Sequence, residues 1–254
     1  MAQGESTEMP RFALEKTSLI DYPGLVACVL FVRGCNLQCP YCHNPELVEG
    51  LEPEGMESWE TILQFLVKRR PVLQGVCITG GEPSLLPELP SLVREIQSLG
   101  YRVKVDTNGT KPEIAETLPA DYIAMDFKTS PDKYYLLGGK KETGLAVQQS
   151  ARTLIGRGIP HEFRITVAPE IFDLSDARNL AALLRGAKLV VLTGVRLTQV
   201  LDPAYGNRVT PYPMAFLQEI KDEFLSQGIP CKIRGEQQDA FSGSMKRHPR
   251  RRDS

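Results

Sequence analysis

Short β-branched apolar runs alternate along this chain with stretches of helical periodicity, which is the pattern of a parallel sheet built from βα units. Six strand-like runs stand out: Val26 to Val32, Val76 to Thr79, Val103 to Asp106, Tyr122 to Phe127, Phe163 to Val167, and a less sharply bounded Leu189 to Val200. Between them Trp59, Ile62, Leu63 and Leu66 share one helix face. Leu89, Leu92, Val93, Ile96 and Leu99 share another, with Gly100 set to stop that helix. Ala177, Leu180, Ala181 and Leu184 repeat the stripe behind Ser175 as N-cap, and Phe216, Ile220 and Phe224 mark a last helix. A short helix is expected around Ile114 to Leu118. The predicted fold is α/β, a partial barrel of six parallel strands over residues 17–241. Residues 1–16 read as an extension, and the Arg- and Ser-rich residues 242–254, without apolar anchors, as a disordered basic tail.

Composition narrows the partners. Thirty Lys and Arg against 31 Asp and Glu leave a net charge of −1, which creates no field to draw in nucleic acid or a membrane surface. No apolar run is long enough to span a bilayer and no secretory signal precedes residue 17, so a cytoplasmic protein is expected. Six cysteines could suggest disulfides, but Cys28 and Cys77 sit inside apolar strand runs and suit burial as small hydrophobes.

The other pattern is chemical. Cys35, Cys39 and Cys42 lie in GCNLQCPYCHNPEL, where three thiolates can converge on one inorganic centre. Iron-sulfur clusters normally take four cysteines, so three imply a 4Fe-4S cluster with one iron open to an exogenous ligand. The competing readings are a zinc knuckle completed by His43 and a loop with no metal; the usual zinc pattern pairs two distant clips, and no second clip exists here.

Parallel α/β barrels gather functional groups at the carboxyl ends of their strands. Here the cysteine loop follows the first strand, Thr79-Gly80-Gly81-Glu82-Pro83 the second, and Asp106-Thr107-Asn108-Gly109 the third. Asp126 and Lys128 close the fourth, Arg164 lies in the fifth, and Gln199 near the end of the sixth. Any one of these could be a turn or half an ion pair, but together they describe a pocket for a zwitterion bearing a sulfonium. Gly80 and Gly81 would admit its backbone-side approach, Glu82 would meet an ammonium, and Lys128 and Arg164 would hold a carboxylate or ribose oxygens. The ligand implied is S-adenosylmethionine.

C-x3-C-x2-C followed by TGGEP resembles the radical S-adenosylmethionine superfamily, over roughly residues 17 to 230. Within it, Cys42-His43-Asn44-Pro45, Asp106 to Gly109 and Met125 to Lys128 resemble the activases of glycyl-radical enzymes. Thr17 to Val48 is similar to the activating proteins of anaerobic ribonucleoside-triphosphate reductase. The resemblance implies one cluster on Cys35, Cys39 and Cys42, Tyr41 near the adenine, Glu82 on the amino group, and Asp106 and Thr107 beside the ligand at a monovalent cation site. Asp126, Lys128 and Arg164 would complete the polar wall. It also implies a flavodoxin or ferredoxin as electron donor, a 5′-deoxyadenosyl radical, and hydrogen removal from a glycine of the partner. Pyruvate formate-lyase activases carry a histidine where this chain has Gln199. A relative of 7-carboxy-7-deazaguanine synthase or a peptide-modifying enzyme is the rival within the superfamily, and a non-catalytic metal-binding module the rival outside it. Leu136 to Thr143 is a candidate flexible rim loop.

Overall fold

The computed structural model of the chain describes residues 9–48 and 55–235. Its eight strands form one sheet in unbroken sequence order: β1 (Ala13–Ser18), β2 (Ala27–Val32), β3 (Gly75–Gly80), β4 (Arg102–Thr107), β5 (Tyr122–Phe127), β6 (His161–Val167), β7 (Val190–Gly194) and β8 (Cys231–Ile233). Strands β2 to β8 are parallel, and β1 runs antiparallel to β2. The helices are α1 (Pro45–Val48), α2 (Trp59–Arg69), α3 (Leu89–Ser98), α4 (Pro112–Thr117), α5 (Lys141–Arg157), α6 (Leu174–Leu183), α7 (Pro203–Arg208) and α8 (Met214–Ser226), with 3-10 turns at Pro83–Leu85 and Pro131–Leu137.

The six predicted strands are present, and the partial parallel barrel stands. Four details differ. Strand β1 begins inside the segment read as an extension and straddles the expected boundary at residue 17, and β8 adds a short seventh parallel strand. The sixth predicted strand stops at Gly194, leaving Gln199 outside it. Helix α6 is capped by Asp173, whose carboxylate accepts from the Ser175 and Asp176 amides, so Ser175 lies inside the first turn. Gly100 does follow α3 with φ 87°, a conformation that costs glycine nothing. The basic tail lies outside the described residues.

Successive side chains of a strand point to opposite faces, and here the two faces differ in chemistry. Leu30, Ile78, Val105, Met125, Phe163 and Leu192 face the helices and join the main core with Leu66, Ile96, Leu154, Leu180 and Phe224. Each such fully buried side chain contributes on the order of 1.5–3 kcal/mol. The alternate positions, among them Cys77, Lys104, Asp106, Asp126, Glu162 and Arg164, share the inner face through the registers Cys77↔Lys104 and Asp126↔Arg164. The barrel interior is thus polar while the sheet-helix layer is dry. No helix among the described residues is long and apolar enough to cross a membrane.

Candidate active site

The cysteine loop leaves β2 through Gly34, whose φ of 82° favours glycine. Backbone bonds pin it from four sides. Gly34 N–H donates to Leu47 O at 2.6 Å, Gly34 O accepts Glu82 N–H at 2.8 Å, Gln38 N–H donates to Leu137 O at 2.8 Å, and Cys42 O accepts Leu201 N–H at 2.9 Å. A turn bond from Cys42 N–H to Cys39 O, 2.9 Å, brings the last two thiols together in the loop. Cys39 is buried, Cys35 and Cys42 are half-buried, and all three line one cavity of about 230 Å³. Burial pushes the Cys39 thiol up to about 12 and raises Cys35 in the same direction. Iron binding at these sulfurs therefore has to release protons.

Gly80 and Gly81 line the cavity and have a packing task as well. A Cβ on Gly81 would stand 2.1 Å from Gly34 O, and one on Gly80 2.6 Å from Val32 O. The two glycines let the end of β3 lie directly against the root of the cysteine loop, where Gly81 N–H donates to Val32 O at 2.8 Å. Glu82 next to them is 1% exposed. Its Oε1 accepts the Ser84 amide (3.0 Å), the Ser84 hydroxyl (2.5 Å) and the Thr107 hydroxyl (2.6 Å), and its Oε2 accepts the Asn108 amide (2.6 Å). Burial raises its pKa, against these bonds, which lower it. Glu82 thereby clamps the loop after β3 to the loop after β4, and its Oε2, with one partner, is the oxygen left with spare capacity toward the cavity.

Asp106 and Asp126 sit on the inner face in a five-residue charge cluster. Arg164 donates to Asp106 Oδ2 (2.8 Å) and forks onto both oxygens of Asp126 (2.6 and 3.1 Å). Lys104 pairs with Asp106 Oδ1, and Lys128 with Asp126 Oδ2 at 2.9 Å. Burial pushes both carboxyls up, but Arg164 together with Lys104 or Lys128 outweighs it and holds them below the usual range. Lys128, pushed down by burial, is raised on balance by Asp126 and Cys39, and stays charged.

Of the predicted site residues, Cys35, Cys39, Tyr41, Cys42, Gly80, Gly81, Glu82, Asp106, Thr107, Asp126 and Lys128 all line the cavity. Arg164 is not in that lining; it stands behind Asp106 and Asp126, so the ligand contact expected of it is taken up by carboxylates of the chain itself. Tyr41 is buried and its hydroxyl donates to Lys128 O at 3.3 Å. Gln199, with φ 54°, lines a neighbouring cleft beside His43, Asn44 and Glu46. His43 Nε2–H donates to Arg196 O at 3.0 Å. Sequence reasoning missed Lys104 and Thr166. For Lys104 the signal was there: two residues before Asp106 on a strand, it must share its face. The rim-loop candidate, Leu136 to Thr143, covers the last two residues of the 3-10 turn, with Leu137 buried, then Gly138 to Lys140 and the first residues of α5.

The sequence profile of the Radical SAM superfamily matches residues 29–184. A protein of Methanocaldococcus jannaschii named glycyl-radical enzyme activating enzyme is 30% identical over 217 residues, 81% of this chain and 86% of its own length. The pyruvate formate-lyase-activating enzyme of Staphylococcus epidermidis is 30% identical over 179 residues, 63% of this chain and 69% of its own. Among solved structures, QueE from Escherichia coli superposes with TM-score 0.53 at 15% identity, over 89% of this chain and 92% of its own. SuiB of Streptococcus suis gives 0.61 at 15%, over 82% and 48%. At such identities these two speak for the fold alone. With a profile that spans more than half of the residues and its three cysteines on one cavity, the chain belongs to the radical S-adenosylmethionine superfamily.

Proposed function

We propose that this protein activates a glycyl-radical enzyme, an anaerobic ribonucleoside-triphosphate reductase, by removing a hydrogen atom from one glycine of that partner. The observation that carries the reading is the set of three cysteines, without a fourth beside them, on a cavity that also presents Glu82 and Lys128. The superfamily uses a 4Fe-4S cluster and S-adenosylmethionine, and the cluster supplies the electron that splits the sulfonium to methionine and a 5′-deoxyadenosyl radical. The chain's own residues bind and orient. Cys35, Cys39 and Cys42 would hold the iron, leaving one iron site open to the ligand. Glu82 Oε2, which has one partner in the chain, would accept from the ligand's amino group, and Lys128, kept cationic by Asp126, would meet its carboxylate. Tyr41 and Leu37 wall the cavity and would exclude water from it.

Support for an activase comes from the relative named for glycyl-radical enzyme activation, aligned along four fifths of this chain. The choice of reductase rests on Thr17 to Val48. A flavodoxin or ferredoxin is the expected donor. The test is electron paramagnetic resonance of the reduced protein mixed anaerobically with S-adenosylmethionine and the reductase. A glycyl doublet that vanishes when the partner's glycine becomes alanine supports the proposal. Turnover of a small molecule, with no doublet on any glycyl-radical enzyme, would sink it in favour of the small-molecule rival.

A further inference from the structure

Lys104 is the one fully buried lysine of the inner face: 2% of it is exposed, and its Nζ lies between Asp106 Oδ1 and Cys77 Sγ, 3.7 Å from the sulfur. It reaches Asp106 because the two are separated by a single residue on β4 and point the same way. Neither Asp106 nor Asp126 has an oxygen without a cation. Asp106 gives one to Lys104 and one to Arg164; Asp126 gives one to Arg164 and shares the other between Arg164 and Lys128. Thr107 is also committed, since its hydroxyl donates to Glu82 and accepts the Gly109 amide at 3.1 Å. A cation placed at Asp106 and Thr107 would have to share each of these oxygens with a donor already bound to it.

The charges point the same way. Asp106 already carries two cations, Lys104 and Arg164, on its single negative charge. A metal ion at the same carboxylate would be a third, in a buried place where an unpaired charge is strongly disfavoured. We infer that the Lys104 ammonium is this site's built-in monovalent cation, so that S-adenosylmethionine binds without Na+ or K+. The inference rests on the reading that S-adenosylmethionine occupies this cavity, and it makes Lys104 a positioning residue acting through Asp106.

The experiment is calorimetric titration of S-adenosylmethionine into the cluster-loaded protein in potassium, sodium or choline chloride at equal ionic strength. The wild-type affinity is expected to agree across the three salts within about twofold. Lys104→Ala opens the space of the ammonium. Its affinity should drop about tenfold in choline, the scale of one lost charge-assisted contact, and recover when potassium or ammonium is added. Lys104→Met, which refills the space with an apolar chain, should lose affinity without recovery. Wild-type binding that is tenfold tighter in sodium or potassium than in choline overturns the inference while leaving the ligand site in place, and so does a folded Lys104→Ala variant indifferent to the ion. Failure to bind S-adenosylmethionine in any salt overturns the site assignment and this inference together.

Discussion

Glu82 offers the sharpest separation between a group that serves the ligand and one that holds the site together. Replacing it with alanine strips the acceptor from the Ser84 and Asn108 amides, both in buried residues, and from two hydroxyls that can turn elsewhere. An orphaned buried donor costs about 1–3 kcal/mol, so two amides give about 2–6 kcal/mol. Removing a buried carboxylate, whose pKa burial has raised, returns part of this, leaving about 2–4 kcal/mol. For a chain of this size that is a fall in Tm of about 4–16 °C. Glu82→Gln should fall between, because its amide nitrogen must face either the Asn108 N–H or the Ser84 and Thr107 donors. The assay is thermal unfolding followed by circular dichroism on protein free of iron and ligand, where a contact made only to the ligand contributes nothing. If both variants melt within about 1 °C of wild type and yet bind S-adenosylmethionine weakly, the clamp reasoning is refuted.

Cys35→Ser, Cys39→Ser and Cys42→Ser should each lose the about four irons of anaerobically reconstituted protein, whereas Cys28→Ser, Cys77→Ser and His43→Ala should keep them; iron and sulfide analysis reads this directly. Gly81→Ala drives a methyl into Gly34 O, so it should cost at least about 1–3 kcal/mol in urea unfolding and lower iron retention through the root of the cysteine loop. Asp106 and Asp126 have depressed native pKa values, so the stability they contribute is complete above the ordinary aspartate pKa of about 4 and is lost as pH falls below it toward the native values. Urea midpoints measured from neutral to acidic pH should decline more steeply for wild type than for Asp126→Asn.

The strands were legible because each carries an apolar outward face against the helices, and their ends led correctly to the cavity. Helix α5 was not, for a physical reason. Its buried positions are Gly144, Val147, Ser150, Ala151 and Leu154, so the apolar stripe of Val147, Ala151 and Leu154 is narrow and broken by a glycine and a serine on the same face. Gly144 is there because a Cβ would collide with Pro131 O at 1.8 Å, and Ser150 because its hydroxyl donates to Gly109 O at 2.6 Å. Strand β1 escaped notice because most of an edge strand stays exposed, here Glu15, Lys16 and Thr17, and β8 because three residues carry no period. Within the site the residue types were readable, but partners were not. Arg164 reads as a ligand clamp until the register sets it beside Asp126, and the packing of the TGGEP glycines against Gly34 is visible only in the folded chain.

The opposed direction of β1 settles on which side of the sheet the described chain enters and ends. Because β1 is antiparallel, Ala13 pairs with Phe31 near the carboxyl end of β2, and Met9 to Arg11 lie by Val32 and Arg33 at the root of the cysteine loop. Because β8 is parallel, it too runs toward the carboxyl ends, with Ile233 beside Leu192. The described chain therefore enters at residue 9 and ends at residue 235 on the side of the sheet that carries the cavity. Labels that must stay clear of the cavity belong on the opposite side, at the exposed loop of Leu19 and Ile20 between β1 and β2.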